Sequence, residues 1–197
     1  MHAPPTRGEA TRDRIVDVAA RALRRNGYAG VGVADVTKAA GLTHGGFYAH
    51  FESRDALIAE AIERAGRDTG AAMKRRIDAS RARGESPLRA LVESYLSEAH
   101  LKDAESGCVV AALGSEMPRQ SPMLLAPSAE RVRRLIGLVQ QALPEGAPTD
   151  QAMAIAGTLG GSLQLARTLG VNAHGRAMLA AARHALLAQH DRSHGTG

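Results

Sequence analysis

The stretch GLTHGGFYAHF, Gly41 to Phe51, decides how this chain is read. It sets two adjacent glycines, Gly45 and Gly46, beside Phe47, Tyr48 and Phe51 and the histidines His44 and His50. Glycine inside a helix costs about 1 kcal/mol relative to alanine, so a pair of them argues against a helix. The spacing around them is nevertheless helical. With side chains stepping by about 100°, Phe47 and Phe51 share one face, while Ala49 lies opposite with Gly45 and Gly46 beside it. Tyr48 and His50 stand on the two flanks. The face turned away from the aromatic pair is then almost bare backbone, able to come close to a partner.

The segments on either side set this helix in a larger pattern. In TRDRIVDVAARALRRNG, residues Ile15, Val18, Ala19, Ala22 and Leu23 follow the i, i+3, i+4 rule, with Thr11 placed to cap the start and Gly27 the end. VADVTKAAGL puts Val33, Val36 and Ala40 on one face and stops at Gly41. A short helix, a glycine turn and an exposed third helix make a helix-turn-helix, whose last element enters the major groove of DNA. Tyr48 and His50 would then bond phosphate oxygens, with His44 nearest a base edge. The competing reading is that Tyr48 and His50 only cap a neighbouring loop.

Charge supports a polyanionic partner for this part of the chain. Residues 1–84 carry 15 Lys and Arg against 10 Asp and Glu, whereas residues 85–197 carry 10 of each, so the whole net charge of +5 is N-terminal. The single cysteine, Cys108, excludes an intramolecular disulfide. No run of apolar residues reaches the length of a membrane span and no secretory leader is evident, which reads as a soluble cytoplasmic protein with no membrane partner. The sequence lacks GxSxG, GxxxxGK[ST] and HExxH, and its eight histidines have no metal-ligand spacing. An enzyme is therefore not expected, nor a metal or other cofactor.

Beyond Phe51 every patterned segment reads as helix, giving an all-α fold of about nine helices. SRDALIAEAIERAGRDTGAAMKRRIDASR is a long amphipathic run capped by Ser53, and RGESP marks a boundary. LRALVESYLSEAHLKD, GCVVAALGSEM, PSAERVRRLIGLVQQAL, TDQAMAIAGTLGGSLQLARTL and AHGRAMLAAARHALLAQ follow, each as one helix, with prolines between several of them. The termini MHAPPT and HDRSHGTG read as frayed. The organisation expected is a helix-turn-helix domain at 8–56, a connecting helix at 57–84 and a second helical domain at 85–190.

The run from Arg12 to Leu57 resembles the N-terminal domain of the tetracycline-repressor (TetR) family of bacterial transcription regulators. The resemblance rests on Gly27-Tyr28, on Val36 with Ala39-Ala40-Gly41, and above all on Phe47-Tyr48-Ala49-His50-Phe51. It implies a homodimeric repressor that binds a palindromic double-stranded operator and is released by a small-molecule effector. It also implies that Thr43 caps the recognition helix, that His44, Gly45 and Gly46 face the bases, and that Tyr48 and His50 hold phosphates. Arg54 takes the place of a lysine usual there. Larger residues are common in the family at Gly45 and Gly46, so DNA shape carries more of the specificity here. An alternative is a helical interaction module with the same fold that has lost sequence-specific DNA binding.

The second half resembles the family only in layout. Ala152, Ile155, Ala156, Leu159 and Leu163 form one stripe, with Gly157, Gly160 and Gly161 nearby, and Met178, Ala182, Ala185 and Leu186 form another. Such faces suit a four-helix dimer interface or an internal core. Candidate effector-binding residues are Tyr95, Glu98, His100, Cys108 and Gln164, with Glu116, Ser162 and Arg167 as further polar groups costly to bury. Tyr95 is the sole aromatic after Phe51, so a small or aliphatic ligand is expected. Cys108 stands at an apparent helix start ahead of VVAAL, and reads either as a reactive thiol or as a packing residue.

Overall fold

The computed structural model describes residues 6–191, with the side chain of His44 excepted. The segments expected to fray lie mostly outside them, but Thr6 is described and caps α1 (Arg7–Asn26). Its hydroxyl accepts the Glu9 amide at 3.3 Å while the Glu9 carboxylate accepts the Thr6 amide at 2.7 Å. This reciprocal box, rather than Thr11, starts the helix. Gly27 ends it at φ +72°, and after a short loop come α2 (Val33–Ala39) and α3 (His44–Tyr48), separated by Gly41 at φ +71°.

Ser53 starts α4 (Arg54–Ala82), its hydroxyl accepting the Ala56 amide at 3.1 Å. Then follow α5 (Pro87–Tyr95), α6 (Glu98–Lys102), α7 (Val109–Leu113), a 3-10 turn at Met117–Arg119, α8 (Pro122–Ala142), α9 (Thr149–Leu169) and α10 (Ala173–His190). The described residues are all helix and loop, with ten α-helices. None is long and apolar enough to cross a membrane.

Three segments depart from the sequence reading. LRALVESYLSEAHLKD is two helices, because Ser97 turns extended and caps a new one through the His100 amide at 3.1 Å. The helix in GCVVAALGSEM covers only Val109–Leu113. Helix α8 begins at Pro122 and continues through Pro127, which lacks the amide that would reach the Met123 carbonyl.

Two cores form. The first joins Ile15, Ala19 and Leu23 of α1 to Val36, Phe47, Phe51 and Leu57, Ile58, Ala61, Ile62 and Ala65 of α4. It also takes Val109, Leu113, Met117 and Leu124 from beyond the RGESP boundary. The second holds Met73 and Ile77 of α4 together with the inner faces of α5, α8, α9 and α10. The stripe Ala152, Ile155, Ala156, Leu159 and Leu163 belongs to this internal core, so it is not itself the outer face of α9.

Phe47 is fully buried and stacks on Phe51 at 5.6 Å between ring centroids. With only five residues, α3 cannot hold itself together, and this packing supplies what propensity does not. Phe47→Ala should therefore lower stability by about 3–5 kcal/mol. Urea denaturation checks this, and a loss below about 1 kcal/mol would contradict the role given to the ring.

Candidate nucleic-acid interface and internal cavity

Helix α3 lies over the first core by its aromatic face. Tyr48 is 59% exposed, Thr43, Gly45 and Ala49 are exposed, and His50 is half-buried in the turn that closes the helix. The helix ends at Tyr48, one turn earlier than the spacing through Phe51 predicts; the amides of His50 and Phe51 still reach the Phe47 carbonyl at 2.9 and 3.0 Å. Thr43 occupies the N-cap position but its side chain makes no capping bond, contrary to the role expected of it. The His44 backbone opens the helix. Arg54 donates from Nε to the Val31 carbonyl at 2.7 Å and from Nη2 to that of Tyr28, tying α4 to the loop before α2.

Among the described residues nothing in the protomer accounts for the glycine pair. Both have negative φ, so neither needs glycine's backbone freedom. A Cβ added at Gly45 would meet nothing among the described residues within 4 Å, and at Gly46 only ordinary contacts with Thr43 and Leu42. Alanine would fit both places and favour the helix.

This surface is joined to the rest of the chain by polar contacts. The Tyr28 amide donates to Glu116 at 3.2 Å, and the Tyr28 and Ser128 hydroxyls meet at 3.2 Å in a buried contact. Arg25 pairs with Glu105 at 2.9 Å, and Ser121 donates to Asp55 at 2.5 Å. Glu116, a candidate from its polarity, serves this junction.

A cavity of about 770 Å³ opens between α4, α5, α7 and α8, lined by Met73, Tyr95, Cys108, Val110, Arg131 and Leu135 among others. Tyr95 and Cys108 of the sequence candidates reach it. His100 stands behind the wall. The Cys108 amide donates to its Nε2 at 2.9 Å, which leaves the proton on Nδ1, and Nδ1 donates to the Tyr95 carbonyl at 2.7 Å. Arg167 donates to the His100 carbonyl at 2.8 Å. Burial, with Arg167 adding to it, lowers the His100 pKa from 6.5 to about 4 against the opposing pull of the Tyr95 carbonyl.

Glu98 and Gln164 do not line this cavity. Glu98 is exposed and pairs with Lys102 at 2.8 Å, and Gln164 lies on α9 beside Gly114. Sequence reasoning missed Arg131. It stands in the buried stripe of α8 with Leu124, Ser128, Leu135 and Val139, and that register was the available signal.

Residues 15–61 match the family model for bacterial regulatory proteins of the tetR family. Uncharacterized HTH-type transcriptional regulators from two strains of Mycobacterium tuberculosis are each 29% identical over 170 residues, covering 81% of this chain and 85% of the relative. Among solved structures, the reduced form of Escherichia coli NemR superposes with a TM-score of 0.75 at 19% identity, covering 91% of this chain and 97% of that one. A TetR-family regulator from Cytophaga hutchinsonii gives 0.75 at 16% identity, covering 97% and 100%. These likenesses at low identity establish the fold.

Neutral His100 makes stability depend on pH. Above about 6.5 the imidazole is neutral in both states; between 6.5 and about 4 only the unfolded chain takes up the proton, so stability falls as pH falls through that window. Denaturation midpoints measured across it should decline in the wild type and decline less in His100→Gln. An equal slope in both proteins would show that His100 is not the titrating group.

Proposed function

We propose that this chain, a DNA-binding transcriptional regulator by its match to the tetR family model over residues 15–61 and to curated HTH-type regulators, acts in the cytoplasm as a homodimeric repressor. Each protomer sets α3 into one of two successive major-groove turns of a palindromic operator, and a small molecule in the cavity releases the DNA. The observation that carries the reading is the glycine pair. Gly45, exposed, and Gly46, half-buried, forgo helix propensity where no described residue of the protomer gives a reason for it. Close approach to a duplex supplies the reason: without side chains there, backbone comes near the base edges while Tyr48 and His50 take phosphates on either flank. Thr43, His44 and Arg54 complete the contact set.

The outer face of α9 supports the dimer. Met153, Leu165 and Leu169 are exposed there, and Cβ atoms added at Gly157, Gly160 and Gly161 would meet nothing within 4 Å among the described residues. An apolar face with small residues lets a second copy pack its equivalent helices closely. Transmission runs through α4, which lines the cavity from Gly66 to Lys74 and begins at Arg54, three residues after Phe51. Val109 and Val110 of α7 also touch the cavity, while Val109 and Leu113 sit in the first core. A ligand that shifts α7 or α4 shifts the seat of α3.

Gly45→Ala and Gly46→Ala should each raise stability by up to about 1 kcal/mol while weakening operator binding. Greater stability with unchanged affinity would remove the glycines from the interface. Tyr48→Ala and His50→Ala should each weaken binding about tenfold or more in a mobility-shift titration, with the dimer mass by ultracentrifugation unaltered and binding falling as salt rises. Unchanged affinity in both variants would overturn the docking arrangement.

A further inference from the structure

We propose that the cavity takes an aliphatic carboxylate, an anionic head on an unbranched apolar body, with the Arg131 guanidinium anchoring the head. The proposal rests on the reading of this cavity as the effector site and names the class of molecule that fills it.

The walls define the body. Met73, Val109, Val110, Leu135 and Leu138 are aliphatic, and the one aromatic ring among the lining residues is Tyr95, whose ring already meets His100 edge-on at 5.0 Å. A flat polycyclic ligand would find no second ring to stack against. A flexible hydrocarbon chain can fill such a space by burial alone, without directional contacts.

The charges define the head. The cationic lining residues are Arg67, Lys74, Arg131, Arg133 and Arg134, against Glu130 alone. Glu130 is shared by Arg133 at 3.1 Å and Arg134 at 2.8 Å, and Lys74 has Asp78 at 2.7 Å. Even with these pairings the wall keeps an excess of positive charge, which draws an anion.

Arg131 is the member built into the site. Its residue is 4% exposed, and neither Nε nor Nη2 has a hydrogen-bond partner among the described residues. Nη2 lies 3.0 Å from Glu63 Oε1, an ion pair by distance in which the N–H is not directed at the oxygen. Unmet buried donors are unfavourable, and a carboxylate accepts two parallel N–H bonds from a guanidinium. Gly66 on α4 keeps the room: a Cβ there would stand 2.4 Å from Arg131 Cδ and 2.6 Å from Nη1. The Tyr95 hydroxyl adds another buried group that makes no full hydrogen bond among the described residues, its polar neighbour being the Cys108 thiol. The other cations of the wall are exposed, and Arg133, Arg134 and Lys74 already have carboxylate partners, so the buried anchor is a single guanidinium, which suits a monoanion better than a dianionic phosphoryl group.

The test is calorimetric titration of the full chain with sodium decanoate, decan-1-ol and decylamine, all below their aggregation concentrations. Decanoate should bind at least tenfold more tightly than decanol, with protonated decylamine weakest. Arg131→Met should abolish the preference of decanoate over decanol. Gly66→Ala, which keeps the charge but displaces the side chain, should reduce the preference, and Tyr95→Phe, the mildest change, should reduce it a few-fold. Equal binding of decanoate and decanol by the wild type, no decanoate binding, or a preference surviving both Arg131→Met and Gly66→Ala would overturn the proposal. Wild-type protein that binds its operator yet shows no carboxylate preference defeats this inference alone. Protein that binds no DNA defeats the repressor reading, and the titration then decides the ligand class by itself.

Discussion

Helix α4 is buried in two cores at once, and the rest of the structure depends on that constraint. Leu57, Ile58, Ala61, Ile62 and Ala65 lie against α1 and the aromatic side of α3, whereas Met73 and Ile77 lie in the second core. Ion pairs fasten the first contact: Arg12 to Glu60 at 2.6 Å, and Arg64 to both Asp13 and Asp17. Arg12 also lies 4.7 Å over the Phe51 ring. Partly exposed pairs of this kind are each worth about 1 kcal/mol, so the apolar faces hold the helix and the charges fix its register. A 29-residue rod held at both ends couples whatever lines its middle to whatever sits at its start.

That geometry explains why the two halves are not independent. Val109, Leu113, Met117 and Leu124 belong in sequence to the second half but pack in the first core. Cys108, immediately before them, lines the cavity and holds His100 through its amide. The reach from cavity to α3 therefore passes through packed side chains, where a small shift has to be accommodated by repacking.

Much of this was legible in the sequence, and the exceptions share a cause. The aromatic pair Phe47 and Phe51, the caps at Ser53 and Gly27 and the long periodic runs of α4, α9 and α10 are local signals, and they read correctly because local chemistry decides them. Misreadings came where tertiary contact outweighed local preference. Ser97 breaks a continuous pattern because its cap is combined with burial of Tyr95 and Leu96. Pro127 is carried inside α8 by the packing of that helix on α4 and α9. Arg131 sits in an arginine-rich run that resembles a solvated face, and only its register with Leu124, Leu135 and Val139 betrays its burial. The stripe on α9 was periodic enough to mark a buried face, but periodicity does not say whether the neighbour is the same chain or another copy.

On the reading proposed for this protein, a nearly bare helix seated by two phenylalanines reads a duplex as one half of a symmetric pair. Selection of binding sites from randomised duplex DNA with purified protein tests it most directly. An inverted repeat whose half-sites lie about one helical turn apart should be enriched. A folded dimer that enriches no sequence, or one that enriches a single half-site without symmetry, would contradict it.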